Sequence, residues 1–227
     1  MIRLLLTIPC FILLASTSAN AAVILSNDFA GNVPGNVDPY FSGQVADPLI
    51  SSPGVTRPGH TLNGGYDELV AGELRTFGPN VVAGDRYFGF TINPAANAVV
   101  SFDNFNFSGN ANANGGRLPD KLAFRSSVDS FNADIGTVSL AGATIDLSAV
   151  EFQDVTAPIE FRLYTQVSSD FSNSDGSLPG TTYDLDSFAF NGTVTAVPEP
   201  ASFAFLTLCA VAVGARRRKV SARNSTS

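Results

Sequence analysis

Ile159-Glu160-Phe161-Arg162-Leu163-Tyr164 alternates apolar and polar side chains, and nowhere else in the chain is the alternation cleaner. Successive side chains of an extended chain point to opposite faces, so a period of two marks a strand with one face in a core. The spacing puts Ile159, Phe161 and Leu163 on the buried face and Glu160, Arg162 and Tyr164 on the other. The same rhythm recurs upstream. Between Asp85 and Ile92, Phe88, Phe90 and Ile92 share one face while Tyr87 and Gly89 share the opposite one. Leu122 and Phe124 repeat it. Val100-x-Phe102 changes phase to Phe105-x-Phe107, and Tyr183-x-Leu185 changes phase to Phe188-x-Phe190 before Val194. A phase change inside one strand implies an extra residue, which bends the strand as a bulge.

Around these runs, 20 Gly and 13 Pro are scattered, and sustained 3.6-residue periodicity is missing. This pattern predicts an all-β sandwich with no helix in the body longer than about three turns. The chain holds 18 Phe and no Trp, so phenylalanine should fill the core. Ser126 to Ser130 reads as the exit from the Leu122 strand. Asn32 to Asn63, dense in Pro, Gly, Ser and Asn, and Gly109 to Gly116 are expected to be the least ordered stretches. The second of these reads as a hairpin loop.

Both ends of the chain differ from the body. Arg3 supplies a positive start, Leu4 to Ala15 an apolar run, and Ser16 to Ala21 a small-residue segment closing on Ala19-Asn20-Ala21. Small side chains at −1 and −3 suit the signal peptidase pocket, so residues 1–21 read as a signal-peptide helix cleaved between Ala21 and Ala22. Pro9 and a run of about a dozen residues weigh against a permanent span, which needs roughly 20. Cys10 lies mid-run behind Pro9, which argues against a lipoprotein.

At the other end, Val197-Pro198-Glu199-Pro200 precedes an apolar run from Ala201 to Ala215, then Arg216-Arg217-Arg218-Lys219 and a polar tail over 220–227. The prolines keep the hinge extended and open to a protease. The apolar run, lengthened by a snorkelling Arg216, reads as a hydrophobic helix making a tilted or transient span. The basic cluster stays cytoplasmic under the positive-inside bias, with the body on the far side. Leu178-Pro179-Gly180-Thr181-Thr182 looks superficially like a sortase signal, but it lies inside the body and reads as a turn.

Residues 22–196 therefore form one β-sandwich ectodomain, ample in size for a single core. Over residues 22–197, 19 acidic residues face 7 basic ones, a balance of −12. Such a surface repels nucleic acid, which is excluded as a partner, and suits a soluble exported protein. Both cysteines, Cys10 and Cys209, lie in the end segments, so neither a disulfide nor thiol chemistry is expected in the body. With His60 the one histidine, and no body cysteine, zinc sites of the usual kind cannot be assembled. His60 sits in Arg57-Pro58-Gly59-His60 and reads as a loop residue. Nucleophile-elbow, P-loop and dinucleotide motifs are missing. No catalytic residue is assigned, and the body is expected not to be an enzyme. A glycosidase resting on two carboxylates is the least favoured alternative. Asp170, Asn173 and Asp175 lie in the segment before Asp184 and Asp186. Two readings of this cluster stay open. They are solvated turn formers, the preferred reading, or ligands of a structural calcium ion, which takes oxygen donors. No other cofactor is expected.

The order of hinge, span and basic stop over residues 197–219, with Pro198-Glu199-Pro200 at its head, resembles the PEP-CTERM sorting signal. That resemblance implies processing by an exosortase, a membrane protease-transpeptidase, after export and an inner-membrane intermediate. It also implies a destination at the cell surface or in an exopolysaccharide matrix. Arg86-Tyr-Phe-Gly-Phe-Thr-Ile-Asn-Pro94, Phe102 to Phe107, Leu122 to Phe131, Phe161-Arg-Leu-Tyr164 and Asp184 to Val194 are similar, in that order, to the jelly-roll-type ectodomain of many such proteins. These ectodomains resemble carbohydrate-binding sandwich modules. The resemblance implies a jelly-roll-like sandwich, with signal peptidase, exosortase and exopolysaccharide as partners. A structural or adhesive role is the favoured expectation and a carbohydrate-binding module the alternative, the lack of Trp weighing against stacked sugars.

Overall fold

The alternating stretch that begins at Ile159 is a strand, and it sits where its pattern requires. A computed structural model describes residues 22–63, 65–66, 68–72, 86–113, 118–167 and 181–197. In chain order its strands begin with β1 (Ala22–Asn27), β2 (Asn32–Val33), β3 (Val45–Ala46), β4 (Ile50–Ser51), β5 (Val55–Thr56), β6 (Thr61–Asn63) and β7 (Gly65–Tyr66). They continue as β8 (Leu69–Gly72), β9 (Phe88–Pro94), β10 (Ala98–Ala113), β11 (Lys121–Ser126), β12 (Gly142–Asp146), β13 (Ile159–Gln166) and β14 (Thr181–Ala196). Helix among the described residues amounts to two three-residue 3₁₀ turns, Ser127–Asp129 and Val150–Phe152.

The strands form two antiparallel sheets. The larger runs β12-β10-β14-β1-β3, with β8 also on β14 and β6 on β8. The smaller runs β11-β13-β9-β4, with β5 also on β9, and β2 and β7 make a separate ribbon. Phenylalanines from the two inner faces meet between the sheets. Phe161 of β13 stacks on Phe124 of β11 at 5.6 Å and meets Phe102 of β10 at 5.4 Å and Phe190 of β14 at 5.0 Å. Phe90 of β9 packs on Phe105 and Phe188 of the opposite sheet. The fold is thus all-β, a sandwich with a phenylalanine core. Its lining includes Ile159, Phe161 and Leu163, together with Phe88, Phe90 and Ile92, all buried.

Both phase changes are bulges. The β10–β14 register shifts between Phe102 and Asn104, and again where Ser108 faces Ser187 but Gly109 faces Leu185. An extra residue, Asp103 in β10 and Asp186 in β14, resets which side faces inward, so apolar residues on both sides of each shift reach one core.

Tyr164 points away from Ile159 and Phe161 as the alternation requires, and on that face it is buried, edge-on to Tyr87 at 5.5 Å with Arg125 above its ring. Two expectations are corrected. The hairpin loop expected from Gly109 does not begin there, because β10 stays paired with β14 as far as Ala113 opposite Thr181. Gly109 is needed in that strand, since a Cβ there would lie 2.6 Å from the Tyr183 hydroxyl. Residues 32–63 are not loosely held. Short strands β2 to β6 cross them, and Val33, Tyr40, Ile50 and Val55 reach the core. The buried Arg57 ties the segment together, donating from its guanidinium to the carbonyls of Val37 (2.7 Å), Asn63 (3.3 Å) and Val70 (2.5 Å). Of the sortase-like tract, Thr181 and Thr182 open β14 and the rest lies outside the described residues. Among the described residues no helix is long and apolar enough to cross a membrane. The two terminal segments expected to be helices lie outside them.

Candidate functional site

The body begins and ends in neighbouring strands. Ala22, the expected first residue after signal cleavage, pairs with Gly192 across β1 and β14. β14 runs on to Ala196, and the Val197 amide then donates to the Asn97 carbonyl at 2.7 Å. Among the described residues the last hydrogen bond of the sandwich is therefore made at the residue before Pro198. Gly192 cannot carry a side chain, because a Cβ there would collide with the Ser101 carbonyl oxygen. Of the sorting residues only Val197 is described, and it is exposed. Pro198, Glu199, Pro200, Arg216, Arg217, Arg218 and Lys219, and Ala19 and Ala21 before the signal cleavage point, lie outside the described residues.

At the opposite end of β14 lies an acidic corner. Asp184 is buried, with one carboxylate oxygen lacking a partner among the described residues. Burial raises its carboxyl above the ordinary 3.8, Asp186 adds to the shift, and a hydrogen bond from Thr182 opposes it. Burial likewise raises Asp186. Glu68, just before β8, is raised by burial and then by Asp184 and Asp186. Tyr183, on the core side, is pushed upward by burial and then by the same two aspartates, and its hydroxyl donates to the Leu140 carbonyl at 2.8 Å. Asp170 and Asp175 lie outside the described residues, so of the four candidate calcium ligands only Asp184 and Asp186 are described. Among the described residues no three His, Cys, Asp or Glu side chains are grouped to hold a metal ion. Calcium takes six to eight oxygens, more than Asp184 and Asp186 could supply alone.

A groove of about 420 Å³ crosses the outer face of the large sheet where β10, β14 and β1 run side by side. Its floor is made of small side chains, Ser187 and Ala189 of β14 and Ser26 of β1. Asn106 and Ser108 of β10 flank one side and Val45 of β3 the other. Ala189 pairs with both Ser26 and Asn106, and Ser187 pairs with Ser108, so the small residues fall in register. Asn106 donates to Asn104 Oδ1 at 2.9 Å, and Asn191 donates to the same oxygen at 2.8 Å. The Ser108 and Ser187 hydroxyls share a hydrogen bond of 2.7 Å. Asn27 is committed at both ends of its side chain, donating to the Ser42 carbonyl and accepting from the Phe29 amide.

Sequence reasoning missed this groove. The signal was present as Asn104-x-Asn106-x-Ser108 and Ser187-x-Ala189-x-Asn191, two alternating sets of small, mostly polar residues. Only the pairing of β10 with β14 and β1 makes them one surface.

On the outer face of the smaller sheet, the Arg162 guanidinium lies between two rings, 3.6 Å from the centre of Phe131 and 4.1 Å from that of Tyr87. Glu160 accepts from it at 2.8 and 3.3 Å. This closed stack covers the outer face of β13. His60 lies between β5 and β6, in a turn as expected, its ring 6.2 Å from Phe88.

Residues 196–219 match the PEP-CTERM protein-sorting motif. The matched segment begins at the last residue of β14. The motif marks an exported chain that is held at the membrane and processed by an exosortase, and so destined for the cell surface or beyond. No curated protein and no solved structure matches the chain.

Proposed function

We propose that this chain is a cell-surface or extracellular-matrix protein whose sandwich has a structural or adhesive role. The observation that carries this reading is the junction at Ala196–Val197, where a self-contained sandwich passes directly into the sorting motif. Exosortase cutting near Pro198-Glu199-Pro200 would remove the tail without breaking a strand. Signal peptidase cutting before Ala22 would do the same at the other end. The acidic balance of the body favours solubility outside the cell and disfavours nucleic acid. Its carboxylates serve packing, turns and one strained corner in this account, not turnover.

A carbohydrate-binding module is the second reading, favoured by the polar groove on the large sheet. The test has two arms. Cells lacking the gene should lose cohesion or matrix retention, restored by the intact chain. The purified chain should not hydrolyse polysaccharide, peptide or ester substrates. Hydrolysis abolished by a single Asp or Glu substitution would overturn the proposal.

A further inference from the structure

We infer that the groove over β10, β14 and β1 binds an uncharged, hydroxyl-rich glycan segment, an inference that rests on the reading of the protein as a matrix component. The chemistry of the groove selects this class. It holds no Lys or Arg, and Asp28 stands at its rim, in a body already strongly acidic. Anionic chains are therefore repelled. A peptide adding itself as a strand needs a free sheet edge. Here β14 and β1 are each paired on both sides, so their backbone is committed and mainly side chains are offered.

Those side chains match sugar hydroxyls, which donate and accept alike. Asn106 gives one amide hydrogen to Asn104, which leaves its carbonyl oxygen and second amide hydrogen to face a ligand. The Ser108–Ser187 pair uses one hydroxyl hydrogen between them, so a second hydrogen and several lone pairs remain. Asp28 accepts the Ala30 amide on one oxygen, and the other can accept a hydroxyl. Val45, 60% exposed, offers an apolar patch for the C–H face of a ring. The Asn104–Asn106–Asn191 bonds fix the carboxamides before any ligand arrives, which lowers the ordering cost of binding. The volume lies within the range of ligand sites, roughly 300–1,000 Å³. Without an aromatic platform the affinity should be modest. Many copies along one polysaccharide would compensate through avidity.

The test uses the full-length chain in detergent micelles. An array of neutral oligosaccharides is probed beside alginate and hyaluronate oligomers and a peptide panel, and the best neutral binder is then titrated. Asn106→Ala should weaken it at least tenfold, and Ala189→Ile, which fills the floor, should do the same. Thr193→Ala, on the same strand beyond the groove, should leave it unchanged. Thermal melts establish that each variant is folded, and Asn106→Ala decides if Ala189→Ile does not fold. Three outcomes overturn the inference: no neutral glycan bound, selective binding of the anionic oligomers or peptides, or neutral binding that Asn106→Ala leaves intact. Where gene loss still abolishes cohesion and the tail is still processed, any of these removes the groove assignment alone. Cells that keep their cohesion without the gene would count against the broader reading.

Discussion

Ala22 and Gly192 face each other across β1 and β14, four residues before the sandwich ends at Ala196. Ala22, the expected start after signal cleavage, and Ala196, where the sorting motif begins, therefore lie toward one end of the large sheet. Asp184 stands twelve residues before Ala196 on β14, so the acidic corner sits up to about 40 Å along the strand direction from that end. The groove lies between the two.

Phe161 should be among the most costly single rings to remove. It is fully buried and touches Phe102, Phe124, Phe152 and Phe190 from both sheets. Phe161→Ala loses transfer energy and leaves a cavity, which together cost about 3–5 kcal/mol. Chemical denaturation of the variant checks this, and an unchanged midpoint would show that the two sheets do not pack through this ring.

Arg57→Lys should be destabilising although the charge is kept. The guanidinium reaches three backbone carbonyls in different directions, which one ammonium on a flexible stem cannot reproduce. Burial already lowers its pKa, with Asp38 opposing the shift. A loss of about 2–4 kcal/mol is expected from carbonyls left without donors. Equal melting temperatures for Lys and Arg would mean that residues 32–63 are held by their apolar anchors alone.

The acidic corner sets a pH dependence of definite sign. Asp184, Asp186 and Glu68 have folded-state values above their ordinary 3.8, 3.8 and 4.5. The folded chain therefore binds protons more tightly than the unfolded one. These groups make stability fall as pH rises from the ordinary carboxylate range through the raised values, and restore it as pH drops back. Asp184→Asn should raise the melting temperature at pH 7, with the gain shrinking toward pH 4. A lower melting temperature at pH 7 would show that the carboxylate is compensated by something the corner does not reveal, such as a bound cation.

The strands carrying the core were legible because period-two runs leave no other solution. Ile159, Phe161 and Leu163 can be buried together only as a strand, and a lost phase at Phe102 or Leu185 has to be a bulge. Gly109 to Ala113 misled because Gly, Asn and Ala signal a turn locally, whereas pairing with residues 181–185 makes the stretch a strand. Residues 32–63 were opaque for a different reason. Strands of two or three residues are too short to show a period, and each brings at most one anchor to the core. The sorting signal could be read directly, since its information is order and composition. The groove could not, because β10 and β14 are far in sequence from each other and from β1 and β3, which complete it.

The central claim is that a finished sandwich is handed to a sorting signal that is then cut away. Mass spectrometry of the C-terminal peptide from the protein in its native envelope tests it most directly. The account predicts a mature chain that starts at Ala22 and ends near Pro198-Glu199-Pro200, lacking Arg216 to Lys219. A mature pool that retains an intact Arg216 to Ser227 end would contradict it.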